Sequence, residues 1–171
     1  MSIPFTLDGQ PLQALEGETI FKAAQRHGVD IAHLCFKDGY RPDGNCRACV
    51  VEVKGERTLA PSCCRSVTPG MEVQASSPRA RKSQQMVVEM LLSDMPDQGY
   101  KWIGDDANQP HGELSEWAAQ MDVQVRPALR ALRRVKPVAD LSHPAMAVNL
   151  DACIQCNRCV RACREEQVND V

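Results

Sequence analysis

The chain has 171 residues, 43% apolar and 25% charged, with 20 Lys plus Arg against 22 Asp plus Glu. That apolar share excludes wholesale disorder, and a net charge of −2 gives no basis for nucleic-acid binding. No run approaches the ~18 consecutive apolar residues of a membrane-spanning helix, so no membrane insertion is expected.

The first elements read as follows. Ile3, Phe5 and Leu7 alternate with polar residues, the pattern of a half-buried strand, and Asp8-Gly9 turns the chain into a second strand near Leu12. Gly17-Glu18-Thr19 opens a helix carrying Ile20, Phe21, Ala23 and Ala24, with Gly28 at its C-terminal end. Gly39, Pro42 and Gly44 make Phe36–Asn45 an irregular loop. Val50, Val51 and Val53 form a strand, Thr58–Ala60 another, and Met71–Val73 a last one after Pro69-Gly70. Strand–strand–helix–strands in so short a span predicts a β-grasp sheet wrapped on one helix.

Beyond it, Ser83–Leu92 is helical by spacing, with Met86, Val87, Met90 and Leu91 on one face. The series Met86, Met90 and Met95 then reads as core packing. Residues 93–112 are rich in Asp, Gly, Pro and Asn and predict a loop, and Glu113–Met121 a short helix. Val125, Leu129 and Leu132 repeat at helical spacing up to Pro137, with Arg126, Arg130, Arg133 and Arg134 on other faces. His143-Pro144 marks a turn before a strand over Ala147–Leu150. Between Arg126 and Arg164 stand eight Lys or Arg and two acids. These cations read as a solvated face, with Arg158 and Arg161 set apart as able to act on a metal centre or an acidic partner.

The nine cysteines carry the chemistry. The start MSIPFTLDGQ lacks the basic segment and apolar run of a secretory signal, so the expected compartment is the cytoplasm. There, cysteines are metal ligands more often than disulfides, and an odd number cannot pair completely. They fall in two groups, Cys35 to Cys64 and Cys153 to Cys163.

In the first group, Cys35, Cys46, Cys49 and a cysteine at the 63–64 pair supply four thiolates from a loop, a Cys-x-x-Cys hook and a following segment. Soft thiolates suit an iron–sulfur cluster, and backbone N–H groups near Gly39 and Gly44 are candidates to approach its sulfurs. A tetrahedral zinc would accept four thiolates too, but such sites usually combine two hooks. Spacing leaves open whether Cys63 or Cys64 is the fourth ligand, the surplus one being a packed free thiol. His33 reads as a loop histidine rather than a ligand.

The second group, Cys153-x2-Cys156-x2-Cys159-x3-Cys163, is the run that bacterial ferredoxins use for 4Fe–4S clusters. Cys153, Cys156 and Cys159 would hold one cluster, and Cys163 would reach toward a second. The remaining corners have no cysteines to fill them, so the chain is expected to be the front portion of something longer. No Ser/His/Asp set, paired carboxylates or phosphate-binding glycine loop is present.

The stretches DIAHLCFKDGYRPDGNCRACVVEVKGERTLAPSC and SHPAMAVNLDACIQCNRCVRACREEQVNDV resemble the N-terminal part of the alpha subunit of NAD-linked, molybdenum- or tungsten-dependent formate dehydrogenases. More distantly the chain is similar to the large iron–sulfur subunit of respiratory complex I and to hydrogenase diaphorase subunits. The resemblance implies an α+β chain: a β-grasp 2Fe–2S ferredoxin-like domain at 1–78, a helical connector at 79–145, and the first half of a bacterial-type 4Fe–4S ferredoxin domain at 146–171. It selects Cys63 over Cys64, making Cys35, Cys46, Cys49 and Cys63 the 2Fe–2S ligands. It also implies one or two 4Fe–4S clusters on Cys153, Cys156, Cys159 and Cys163, completed outside this sequence.

The implied role is single-electron relay between a molybdenum- or tungsten-pterin catalytic domain and flavin- and NAD-binding diaphorase subunits, with no catalytic residue in this chain. A stand-alone ferredoxin-like carrier and a structural zinc module are the alternatives. Arg164, where small ferredoxins have Pro, is similar to the dehydrogenases. Many relatives hold a connector cluster on one His and three Cys. Here Met95 stands near that His position and His111 has no thiolates to join, so no connector cluster is expected.

Overall fold

A computed structural model describes residues 2–96, 112–148 and 150–168 of the chain. His111 and most of the expected loop 93–112 lie outside the described residues. The chain divides into two compact units, 1–84 with 156–171, and 85–155.

The first unit is built on a five-stranded mixed sheet. Strand β1 (Ser2–Leu7) pairs antiparallel with β2 (Gln10–Leu15), and Asp8 and Gly9 both take positive φ, at 49° and 80°. Two positive-φ residues in a two-residue hairpin match the strand twist, and Asp-Gly adopts them readily. Helix α1 (Ile20–Arg26) follows; the Thr19 hydroxyl accepts the Lys22 N–H at 3.3 Å, and Gly28 at φ 74° turns the chain out of the helix. Strands β3 (Val50–Val53), β4 (Ala60–Pro61) and β5 (Met71–Gln74) complete the sheet in the order β2-β1-β5-β3-β4, with β5 parallel to β1. The expected strand at Thr58–Ala60 is thus shorter and shifted to Ala60–Pro61.

Alternation selects the core. Phe5 and Leu7 of β1 and Met71 and Val73 of β5 face inward, while Glu72 and Gln74 face out. They meet Ile20, Phe21, Ala23 and Ala24 of α1, and Val51 and Val53 of β3. Cys49 and Cys63 belong to the same cluster, so the sulfur-bearing segments are packed as part of the core.

Helix α2 (Pro78–Asp94) begins earlier than its spacing predicted, because the Ser77 hydroxyl accepts the Ala80 N–H at 3.1 Å and Pro suits a first helical position. The expected inward face is corrected as well. Met86 and Met90 are exposed, whereas Ala80, Gln84, Val88 and Met95 are buried. A polar residue sits in the true stripe: Gln84 Nε2 donates to the carbonyls of Val50 at 2.9 Å and Ala75 at 3.4 Å, so its buried amide is satisfied.

In the second unit, α3 (Glu113–Gln120) matches expectation, but the helix expected up to Pro137 is only α4 (Pro127–Arg130). The Arg134 N–H goes to the Asp94 carboxylate at 3.1 Å instead of continuing the helical ladder. The strand expected over Ala147–Leu150 is a hairpin, β6 (Asp140–His143) with β7 (Met146–Val148), and Leu150 opens a 3-10 turn over Leu150–Ala152.

The basic face is not simply solvated. Arg126 donates to both Glu89 carboxylate oxygens, at 2.8 and 3.0 Å, and Arg130 to the carbonyls of Ser93 and Met95 at 2.9 and 2.7 Å. Arg134 Nη2 spans the carbonyls of Leu150, Asp151 and Cys153 at 2.9 to 3.2 Å. Arg133 pairs at 3.0 Å with Asp151, which is 2% exposed.

Leu7→Ala should lower the unfolding free energy by roughly 2–5 kcal/mol in a urea titration, whereas the exposed Leu15→Ala should change it by about 0.5 kcal/mol or less. The hydrogen bonds from Arg126 hold the Glu89 carboxyl below the usual carboxylate range. Its contribution to the second unit is therefore fully present above the ordinary carboxylate pKa and is lost as pH falls through the depressed one. Glu89→Gln should remove that segment of the acid-unfolding curve, read by circular dichroism between neutral and strongly acid pH.

Candidate metal centre

Three segments of the first unit carry the first sulfur group. Cys35 lies in a buried stretch with Ile31, Ala32, Leu34 and Phe36; Cys46 and Cys49 lie just before β3; Cys63 follows β4. The last segment is fixed by α1, whose first N–H groups donate outward: Ile20 N–H to Arg65 O at 2.9 Å and Phe21 N–H to Ser62 O at 3.0 Å. Helix-terminal donors left without intrahelical partners thus bind the ligand segment to the core. Ser62, fully buried, donates from both its N–H and its hydroxyl to the Cys49 carbonyl, at 3.1 and 2.7 Å.

Cys35, Cys49 and Cys63 are buried and Cys46 is half-buried. Side-chain interactions link them in series, Cys46 with Cys35, Cys35 with Cys63, and Cys63 with Cys49. Among the described residues no three His, Cys, Asp or Glu side chains are grouped for a single metal ion.

Hydrogen bonds from Cys46 and Cys63 hold the Cys35 thiol far below its ordinary range, and the Cys63 hydrogen bond brings Cys49 down to about 7 against the effect of burial. Cys46 is pushed up by Cys35 and then by burial, and Cys63 by Cys35 and Cys49. Two thiols are pushed down and two up, and since like charges so close repel, the protein alone keeps protons among the four. Cations that replace those protons would let all four ionise, and the donor set fits an iron–sulfur core in that respect.

The N–H groups near the sulfurs belong to other residues than Gly39 and Gly44. Cys35 N–H approaches Cys46 Sγ at 3.4 Å, Asn45 and Cys46 donate toward Cys35, and Ala48 toward Cys46. Gly44 instead shapes the hook. At φ +63° it bends the chain together with Arg47 at φ 59°, and a Cβ on Gly44 would lie 2.9 Å from Cys64 Sγ. Cys64 is exposed, with its sulfur 3.6 Å from that of Cys63, rather than the packed thiol expected. His33 is a loop histidine, its Nδ1 3.0 Å from Ile31 O and its ring edge-on to Phe21 at 4.7 Å.

The second cysteine run is divided at the boundary between the two units. Cys153 lies in the second unit, where Gln155 N–H approaches its sulfur at 3.4 Å, and Gln155 and Asn157 take positive φ of 56° and 59°. Cys156, Cys159 and Cys163 lie in the first unit, half-buried to exposed, on and around α5 (Arg158–Arg161) and the wider turn Ala162–Glu166. Sequence reasoning missed Ser62, whose only signal is a small hydroxyl residue directly before Cys63.

Residues 1–78 match the family described as a 2Fe-2S iron-sulfur cluster binding domain. The chain is 32% identical over 176 residues to the NADP-reducing hydrogenase subunit HndD of Solidesulfovibrio fructosivorans, covering 96% of this chain and 28% of that protein. It is 30% identical over 166 residues to the mitochondrial NADH dehydrogenase (ubiquinone) iron-sulfur protein 1 of Solanum tuberosum, covering 93% and 21%. A crystal structure of an NAD+-reducing NiFe-hydrogenase in the H2-reduced state is similar at a TM-score of 0.80 and 27% identity, over 97% of this chain and 68% of that one. The chain thus spans under a third of the length of these curated relatives. No helix among the described residues is long and apolar enough to cross a membrane.

Gly44→Ala should destabilise the first unit by about 1–2 kcal/mol, because the added Cβ meets Cys64 Sγ and φ +63° is unfavourable for alanine. A second change, Cys64→Ala, should recover the steric part and leave the backbone part, measured as a double-mutant cycle in urea.

Proposed function

We propose that this chain relays single electrons as an iron–sulfur segment of an NAD-linked oxidoreductase. Cys35, Cys46, Cys49 and Cys63 bind a 2Fe–2S cluster in a domain over 1–78. The observation that carries this reading is the set of four mutually interacting thiols, three of them buried, inside that stretch. Bound there, the cluster supplies a one-electron couple. The chain's own residues exclude water through the β-sheet core, hold the ligand segments through Ser62 and α1, and direct N–H groups toward sulfur.

The second part of the proposal concerns Cys153, Cys156 and Cys159 as ligands of a 4Fe–4S cluster, with Cys163 serving a second one, in a segment over 146–171 that follows a connector over 79–145. Support comes from the ferredoxin spacing and from the positive-φ residues Gln155 and Asn157, which curl the run as three corners of a cube require.

Within NAD-linked complexes, the finer reading is the alpha subunit of a molybdenum- or tungsten-dependent formate dehydrogenase, with a pterin-bound catalytic domain and flavin/NAD diaphorase subunits as partners. This rests on sequence resemblance: Arg164 in the cysteine run, and no cysteine between Cys64 and Cys153.

Anaerobic purification with iron, sulfide and zinc analysis tests the proposal. Iron near two per chain is expected if the first cluster assembles alone, about six would favour a self-sufficient carrier, and zinc in place of iron would overturn the redox role. Cys46→Ser should abolish the 2Fe–2S electron-spin signal, and Cys64→Ser should leave it intact. Loss of the signal in Cys64→Ser would refute the ligand assignment.

A further inference from the structure

Arg161 lies in the second cysteine run, yet its side chain serves the first sulfur group, within the same compact unit. The residue is 8% exposed. Its Nη1 donates to the Arg41 carbonyl at 2.8 Å and its Nη2 to the carbonyl of Cys35, while its guanidinium carbon lies 5.8 Å from the centre of the Tyr40 ring. One turn further on, the Glu165 carboxylate accepts the Arg41 N–H at 3.4 Å. The loop 35–41 is therefore gripped at both ends by one short helical segment.

The charge of Arg161 is the informative part. Among the described residues no carboxylate pairs with it, and its Nε is buried without a hydrogen-bond partner. A buried guanidinium that meets only neutral carbonyls and a ring face carries a desolvation cost those contacts offset in part. Negative charge held by the Cys35 group of thiols would complete the compensation. Four cysteine thiolates around two ferric ions and two sulfides leave a doubly negative centre, triply negative once reduced. A fixed cation nearby favours the more negative state and so favours reduction.

We propose that Arg161 is a positioning and charge-balancing residue for the N-terminal iron–sulfur centre: its fork fixes the Cys35 loop through two backbone carbonyls, and its buried positive charge raises the centre's reduction potential. This rests on the reading of Cys35 as a 2Fe–2S ligand. One electron enters the centre from an external reductant; Arg161 neither gains nor loses a proton, and no bond to it changes.

The chain, loaded with iron and sulfide anaerobically, is titrated with dithionite while the electron-spin signal of the reduced centre is recorded. Arg161→Gln removes the charge and keeps a donor, whereas Arg161→Lys keeps the charge and loses the fork. At a fixed potential the reduced-to-oxidised ratio of Arg161→Gln should fall roughly tenfold, equivalent to about 59 mV for a one-electron couple, at unchanged iron content. Arg161→Lys should stay near wild type. An unchanged ratio in Arg161→Gln, or a shift in Arg161→Lys as large as in Arg161→Gln, overturns the proposal. If Arg161→Gln does not load iron, Arg161→Lys decides: a loaded centre near the wild-type ratio supports the proposal, and a shifted or unloaded one refutes it. A wild-type chain that loads iron yet gives no 2Fe–2S signal fails earlier, on the ligand reading itself.

Discussion

Four sulfur atoms packed into one protein patch cannot all carry negative charge unless cations sit among them. Cys35, Cys46, Cys49 and Cys63 are in that position, interacting in series, with three of the four removed from solvent. Much of the first unit is organised around this constraint. The segment before β3 carries the hook, the first N–H groups of α1 fix the segment through Ser62 to Arg65, and Ser62 ties that segment to Cys49. Cys49 and Cys63 pack with the valines of β3, so the sulfur patch and the core are physically linked.

A second theme is the use of arginine where regular structure runs out. The segments around 35–41, 93–95 and 150–153 lie at or beyond the ends of helices and strands, where carbonyls have few ladder partners. Arg161, Arg130 and Arg134 supply donors to them, several carbonyls per side chain. The planar fork suits this role better than an ammonium, because its donors are held in fixed directions. Asp151, buried and paired with Arg133, anchors the stretch that leads into Cys153.

Alternating residues made β1, β3 and β5 readable, and Asp8-Gly9, Thr19 and Gly28 marked the turn and helix ends, because each of these signals acts over a few neighbours. The errors share one cause. Met86 and Met90 share a helical face by spacing, but the buried stripe runs through Gln84, whose amide finds carbonyls that only the folded chain supplies. The helix expected beyond Arg130 ends because Asp94, distant in sequence, takes the Arg134 N–H. Long-range hydrogen bonds override local periodicity in both places. The cysteine spacing was legible for the same reason in reverse: a hook of two ligands is a local object, while the Ser62 bonds and the reach of Arg161 are tertiary.

The unequal burial of the four thiols gives the sulfur patch a front and a back. Three lie in the interior and Cys46 reaches the surface beside Asn45 and Arg47. Tunnelling rates fall exponentially with edge-to-edge distance, so under the proposed relay function the hook is where a redox neighbour would gain most by close approach. Bulk added on that rim would slow exchange without touching the core, and the irregular course of the loop 36–45 is what brings one sulfur to the surface.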